Sequence, residues 1–303
     1  MSTIQLSIII PTYNYAHTLT RAVASVAKQL NDKTELIVIN DGSTDNTSDI
    51  LNQLKNLFND NLTIYSKENG GLAHTRNYGI NKAIGQYLVF LDADDEMCDG
   101  AVEAIHAHLL NNAAAMTIGG HYSVLSDGKR KLHMPALLPN QPLKRLVGYL
   151  LNKTISISNG ACVMRKDIFD HVKYPEHFRN SEDIPVFAYV LSQLTCNTLQ
   201  VPLANIYKHD DSLRHNAVFA DAVGLQLVDE VFSPRRIPQA LQILKKQFLV
   251  QRLLSLSRVC HENKRHLQCT HFFMQAFKTD WRAILKWSYS KKFIRSLIKT
   301  TTA

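Results

Sequence analysis

Short apolar runs alternate with amphipathic stretches through the first third of the chain. Residues 4–10 (Ile-Gln-Leu-Ser-Ile-Ile-Ile) predict a buried strand ended by Pro11. Residues 17–31 predict a helix that turns Ala22, Val23 and Val26 inward. Residues 35–40 predict a second strand, stopping at Asp41-Gly42, and residues 45–58 a second helix capped by Thr44 or Asp45. A third strand over 62–66, a third helix over 71–84 and a fourth strand over 86–91 follow, the last ending at Asp92. Apolar, β-branched strands alternating with helices predict an α/β fold with a parallel sheet covered on both faces. Further on, 99–134 reads as a helix followed by strand and turn, 155–165 as a loop entering a strand, and 183–194 as a helix. Residues 199–207 read as a last strand. From about Ala220 the pattern is helical, broken by Ser233-Pro234 and Pro238.

In a parallel α/β sheet, ligands gather beyond the carboxyl ends of the strands. Three polar clusters stand at those ends here: Pro11-Thr-Tyr-Asn14, Asp41-Gly-Ser-Thr-Asp45 and Asp92-Ala-Asp-Asp95. Each has a functional and a structural interpretation. Asp92 and Asp94 offer hard oxygen ligands for Mg²⁺ or Mn²⁺, or form an acidic turn before the next helix. Asp41 can accept the imide N–H of uracil or thymine, or close an Asp-Gly turn. Tyr13 can stack on a base or cover the sheet edge. The segment Glu68 to Asn77 supplies a Gly-Gly pair for close backbone approach and then Arg76, which can counter diphosphate charge or lie solvated.

The 303 residues are 45% hydrophobic and 20% charged, an ordinary globular composition. No apolar run approaches the ~18–20 residues that cross a bilayer. Leu6–Ile10 runs straight into a polar motif, so a secretory leader is not expected and the expected location is cytoplasmic. Five widely spaced cysteines without a CxxC pair suit reduced thiols rather than a structural zinc site. The net charge of +8 is unevenly placed: residues 235–303 hold 15 Lys and Arg against 2 Asp and Glu. That tail interleaves Arg235-Arg236, Lys245-Lys246, Lys264-Arg265 and Lys291-Lys292 with aromatic residues. It is expected either to lie at an anionic membrane surface or to pack on the preceding domain with its charges solvated. The charge would also suit nucleic acid, but no recognised binding module is present, so no nucleic-acid partner is expected.

Taken together, Ser7-Ile-Ile-Ile-Pro-Thr-Tyr-Asn14, Asn40-Asp-Gly-Ser-Thr-Asp45, Asn69-Gly-Gly-Leu-Ala, Arg76-Asn77 and Asp92-Ala-Asp-Asp95 resemble glycosyltransferase family 2 in order and spacing. The resemblance covers roughly residues 5–215. It implies the GT-A fold: a catalytic domain over 1–220, with a nucleotide-binding half (1–98) and an acceptor-binding half (99–220), before a basic helical region at 221–303. It implies that Pro11, Tyr13 and Asp41 hold the nucleobase. Asn69 and Arg76 would line the nucleotide pocket, and Asp92 and Asp94 would be the DXD-type metal pair. Glu182-Asp183 matches the family's catalytic acidic pair, with Asp183 as base; read alone, it is an acidic helix start. His209 matches a third metal or phosphate contact, or belongs to a solvated loop. His74 stands where the family often has a small residue.

The resemblance implies an inverting transfer from a nucleotide-diphosphate sugar, UDP-sugar preferred and dTDP-sugar possible, to a hydroxyl of a glycan or glycolipid. The expected setting is bacterial lipopolysaccharide or capsule synthesis at the cytoplasmic face of the inner membrane. A nucleotidyltransferase is the rival enzyme reading, yet the first strand-helix turn (Pro11 to His17) has no glycine. A non-catalytic nucleotide-sugar-binding assembly protein is the rival from another class.

Overall fold

The computed structural model describes residues 4–208 and 223–301. The chain forms two compact units. The first comprises Met1–Asn140, Thr154–His177 and Gln193–His209; the second comprises Gln141–Lys153, Phe178–Ser192 and Asp210–Ala303.

The first unit is built on one mixed sheet. Strands β1 (Leu6–Thr12), β2 (Thr34–Asn40), β3 (Thr63–Ser66) and β4 (Tyr87–Phe90) are parallel, with α1 (Ala16–Ala27), α2 (Thr47–Phe58) and α3 (Leu72–Lys82) between them. After β5 (Glu96–Met97) and α4 (Ala101–Asn111) come β6 (Met116–Val124), β7 (Arg130–His133), β8 (Cys162–Arg165) and β9 (Cys196–Tyr207). The order is β3-β2-β1-β4-β8-β6-β9-β5, with β7 on β6. Beyond β4 the pairing is antiparallel except between β6 and β9.

β1 lies central because Leu6, Ile8, Ile9 and Ile10 are fully buried. Burying each such side chain contributes about 1.5–3 kcal/mol. The strand runs through Pro11, which pairs with Ile39. Proline lacks a ladder donor, and it is accommodated because the β4 ladder has already stopped at Ile9 and Phe90. The start of α2 also differs in detail from the capping expected. Asn46 takes the cap position, while the Asp45 carboxylate accepts from the Thr47 N–H at 3.0 Å.

The second unit is helical. It contains α5 (Pro142–Leu146) running into a π-turn over Val147–Asn152, α6 (Asp183–Gln193), α7 (Gln226–Val231), α8 (Lys245–Glu262), α9 (His266–Thr279) and α10 (Trp287–Thr301). Val250, Leu253, Leu254, Phe273, Ala276 and Ala283 form its small core, and Phe293 of α10 stacks on Phe273 at 4.4 Å. Tyr289 of α10 packs against the same core, and the helix buries polar residues as well. Ser290 and Ser296 are buried, Ser290 Oγ donating to the Ile284 carbonyl at 2.6 Å. Ser296 Oγ bonds His261 Nδ1 at 2.8 Å and His266 Nδ1 at 3.1 Å.

Candidate functional site

β1, flanked by β2 and β4, ends beside both of their carboxyl ends. Immediately past β2, Asp41 is buried and its carboxylate is well used. Oδ1 accepts from Gly70 N–H at 2.9 Å and from Lys67 Nζ; Oδ2 accepts from Gly71 N–H at 2.8 Å. Asn69 Nδ2 donates to the Asp41 carbonyl at 2.9 Å. The residues expected at the nucleotide, Asp41 and Asn69, are thus in direct contact. The carboxylate also has a structural duty that the residue pattern did not reveal: it clasps the loop that starts α3. Carboxylate oxygens carry further lone pairs beyond these bonds, so clasping does not exhaust its accepting capacity. Lys67 was missed altogether, because nothing in its local sequence marks it as the partner of an acid so far away.

Pro11 is buried in β1 and Tyr13, just past the strand, is exposed. Asn14, at φ 59°, ties this end to the β2 loop. Its N–H donates to Ser43 Oγ at 3.0 Å, and its Oδ1 accepts from Thr44 N–H at 2.8 Å. Asp45 accepts from Ala16 N–H at 3.2 Å. Burial raises the Asp45 pKa, but the hydrogen bonds from Thr47 and Ala16 outweigh it and hold the carboxyl below its usual range.

Past β4, three acids take different places. Arg76, only 1% exposed, donates to Asp92 Oδ1 at 3.0 Å with its guanidinium 5.5 Å from the Tyr174 ring centroid. Asp92 keeps 38% of its side chain exposed. The Asp94 carbonyl accepts from Arg21 at 2.5 Å; Arg21 also pairs with Glu96 at 3.4 Å and stacks 3.7 Å over Tyr207. Asp95 turns inward and accepts from Tyr207 N–H at 2.9 Å. Burial first, then the charges of Asp92 and Asp94, push its carboxyl well above the usual range. Among three acids in a row, the sequence gives no sign of which one faces the core. Arg76 was expected at a diphosphate; here its guanidinium is engaged with Asp92.

Asp92 and Asp94 present hard oxygen donors at a strand end, a set that suits Mg²⁺ or Mn²⁺ completed by phosphates and water. Among the described residues no cluster of three or more His, Cys, Asp or Glu gathers. His209, expected as a further contact, lies outside the described residues.

Glu182 and Asp183 belong to the second unit. Asp183 is the first residue of α6, whose Val186, Phe187, Ala188, Val190 and Leu191 are fully buried. Ser181 ahead of it adopts φ 62°, a costly backbone state for a residue with a side chain, and one that concentrates at functional sites. Lys153, 5.8 Å from the Tyr149 ring centroid, lies within the field of Asp183. Lost solvation, aided by Arg252 and Arg258, lowers the Lys153 pKa, while Asp183 draws it back up.

One cavity of the first unit, about 510 Å³, is lined by Arg21, Lys28, Glu96, Tyr122, Arg130 and Asn205 among others. None of the expected site residues lines it.

Comparison with known proteins gives a consistent picture. The family model for glycosyl transferase family 2 matches residues 7–173. Glycosyltransferase GlyG of Streptococcus pneumoniae is 25% identical over 195 residues, covering 61% of this chain and 65% of the relative. The putative teichuronic acid biosynthesis glycosyltransferase TuaG of Bacillus subtilis is 32% identical over 136 residues, covering 44% and 54%. The chain therefore spans roughly half to two thirds of these relatives, and only 17% of the S. pneumoniae glycosyltransferase GlyA. Among solved structures, S. aureus TarS in complex with UDP-GlcNAc superposes with a TM-score of 0.68 at 20% identity, covering 97% of this chain and 89% of TarS. The architecture is that of GT-A glycosyltransferases. A mannosyltransferase from Pyrobaculum calidifontis, in complex with GDP-Man and Mn²⁺, matches with a TM-score of 0.58 at 13% identity, covering 99% and 87%.

Proposed function

The chain belongs to glycosyl transferase family 2, and on that premise we propose an inverting transfer from a nucleotide-diphosphate sugar to an acceptor hydroxyl. The donor is a UDP-sugar, with a dTDP-sugar the nearest substitute. The acceptor is a glycan or glycolipid of the bacterial surface, such as lipopolysaccharide or capsule, elongated at the cytoplasmic face of the membrane. The observation that carries this reading is the placement of Asp41, Tyr13 and the Arg76–Asp92 pair at the carboxyl ends of three neighbouring strands.

In this mechanism Tyr13 stacks on the base and Asp41 accepts its imide N–H, alongside the backbone donors it already holds. Arg76 fixes the orientation of Asp92 rather than meeting phosphate directly. Asp92 and Asp94 would hold Mg²⁺ or Mn²⁺, which when bound neutralises charge on the departing diphosphate. Asp183 takes the proton of the attacking hydroxyl. The new C1–O bond forms opposite the breaking C1–O bond to phosphate, so the anomeric configuration inverts. The UDP preference is supported by the TarS complexes with UDP and UDP-GlcNAc. The metal is supported by the Mn²⁺ in the mannosyltransferase complex.

The test is release of nucleoside diphosphate from a panel of UDP-, dTDP- and GDP-sugars, with Mn²⁺ and with EDTA. Asp183→Asn is expected to retain donor binding and to lose about 10²–10⁴-fold in transfer. Near-normal transfer by that variant removes the base assignment. Conversion of a nucleotide sugar and added pyrophosphate to nucleoside triphosphate and sugar 1-phosphate, with no nucleoside diphosphate released, identifies a nucleotidyltransferase instead.

A further inference from the structure

The outer face of α10 and the turn before it reverse the usual order of polar and apolar residues. Ser296 is 0% exposed, whereas Trp287 is 69%, Leu285 69% and Trp281 62% exposed, with Ile284, Ile294 and Ile298 also in solvent. Trp287, Ile294 and Ile298 are separated by seven and four residues and so share one helix face. Lys291, Arg295 and Lys299, all exposed, follow at four-residue steps and form a cationic stripe along its flank. Residues 281–301 hold six Lys and Arg and no Asp or Glu. No described helix is long and apolar enough to cross a membrane.

A helix with exposed tryptophan and isoleucine on one side and lysine and arginine beside them fits the boundary between lipid headgroups and acyl chains. The apolar side chains enter the boundary and the cations meet anionic headgroups. A second protein surface would have to bring acids to match this stripe, and residues 235–303 carry only 2. The charge therefore argues against self-association through this face. We propose that residues 281–301 dock the second unit on an anionic bilayer surface, with α10 lying in the plane of the interface. This deepens the reading of a glycolipid acceptor, but its test needs neither donor nor acceptor, so the two can fail separately.

The chain contains two tryptophans, Trp281 and Trp287, both on this surface. Intrinsic emission thus reports on the proposed contact alone. Adding phosphatidylglycerol vesicles to the full chain is expected to shift that emission to the blue and to float the protein; phosphatidylcholine vesicles are expected to do neither. Lys291→Gln/Arg295→Gln/Lys299→Gln should weaken partitioning on the order of 100-fold, from three lost headgroup attractions. Leu285→Ser/Ile294→Ser should remove the blue shift. Raising salt from about 0.1 M to about 1 M, which shortens the screening length from ~10 to ~3 Å, should release the protein. Unchanged wild-type emission and no flotation on phosphatidylglycerol at low salt would overturn the proposal without any variant. So would equal flotation of the wild type and the triple variant. A dimer in sedimentation that Leu285→Ser/Ile294→Ser dissociates, with no vesicle binding, would assign the face to a second copy.

Discussion

Strand β1 of the first unit keeps all its apolar side chains buried, with Ser7 and Thr12 buried among them, and exposes only Tyr13 beyond its carboxyl end. Helix α10 of the second unit also buries Ser290 and Ser296, but it leaves Trp287 and Ile294 in solvent. Their charges differ in the same way. In the first unit Lys67 is closed onto Asp41 and Arg76 onto Asp92, with both cations largely buried. In the second, an excess of cations faces outward. A buried pair ties local stability to the chemistry of the site. An exposed cationic stripe is nearly neutral for folding, and so is available to act on something outside the chain.

The sharpest test is Asp92→Ala. It removes a carboxylate from a guanidinium that is 1% exposed, and is expected to cost about 3 kcal/mol in urea denaturation as well as most transfer activity. An unchanged midpoint would mean that Arg76 does not depend on Asp92. Next, Asp41→Ala leaves the Gly70 and Gly71 amides and the largely buried Lys67 ammonium without their acceptor. About 3 kcal/mol should be lost, and the thermal shift expected from UDP should be absent in this variant. In the second unit, Ser296→Ala removes the hydroxyl shared by His261 and His266, at about 1 kcal/mol. Donor binding should be untouched; a loss of donor binding would show that the two units are not energetically separate in this way.

The smallest effect is one of pH. Burial, then the charges of His266, Lys292, Lys299 and Arg295, lower the His261 pKa below 6.5. The folded chain then binds fewer protons than the unfolded chain, so stability is complete above 6.5 and falls as pH drops through the lowered value. Thermal melting between about pH 5 and pH 7 should show this slope in the wild type and a shallower one in His261→Gln.

β1, β2 and β4 were legible because each is a short apolar run, rich in Ile and Val in β1 and β2 and in aromatic and Leu residues in β4, that leads into a polar cluster. Their carboxyl ends, and with them Tyr13, Asp41 and Asp92, followed directly. What was not legible depends on contacts far apart in the chain. β5 is two residues long and exists only through pairing with β9. The gathering of 141–153 and 178–192 into the second unit, the inward turn of Asp95 toward Tyr207, and the closure of Lys67 on Asp41 are all of this kind. The facing of α10 was hidden for another reason. Aromatic residues lie on both its sides, Phe293 inward and Trp287 outward, so hydrophobic spacing alone does not choose between them.

Gly42 sets a limit on how the loops of the proposed donor site can be redesigned. At φ +70°, a Cβ on this residue would lie 2.9 Å from the main-chain nitrogen of Asn69. The two loops beside Asp41 therefore touch backbone to backbone, and no side chain can be trimmed or enlarged to adjust their spacing. Libraries aimed at the proposed base contact have room at Tyr13, which is exposed. They have none at position 42, where any substitution would prise the loops apart before it altered selectivity.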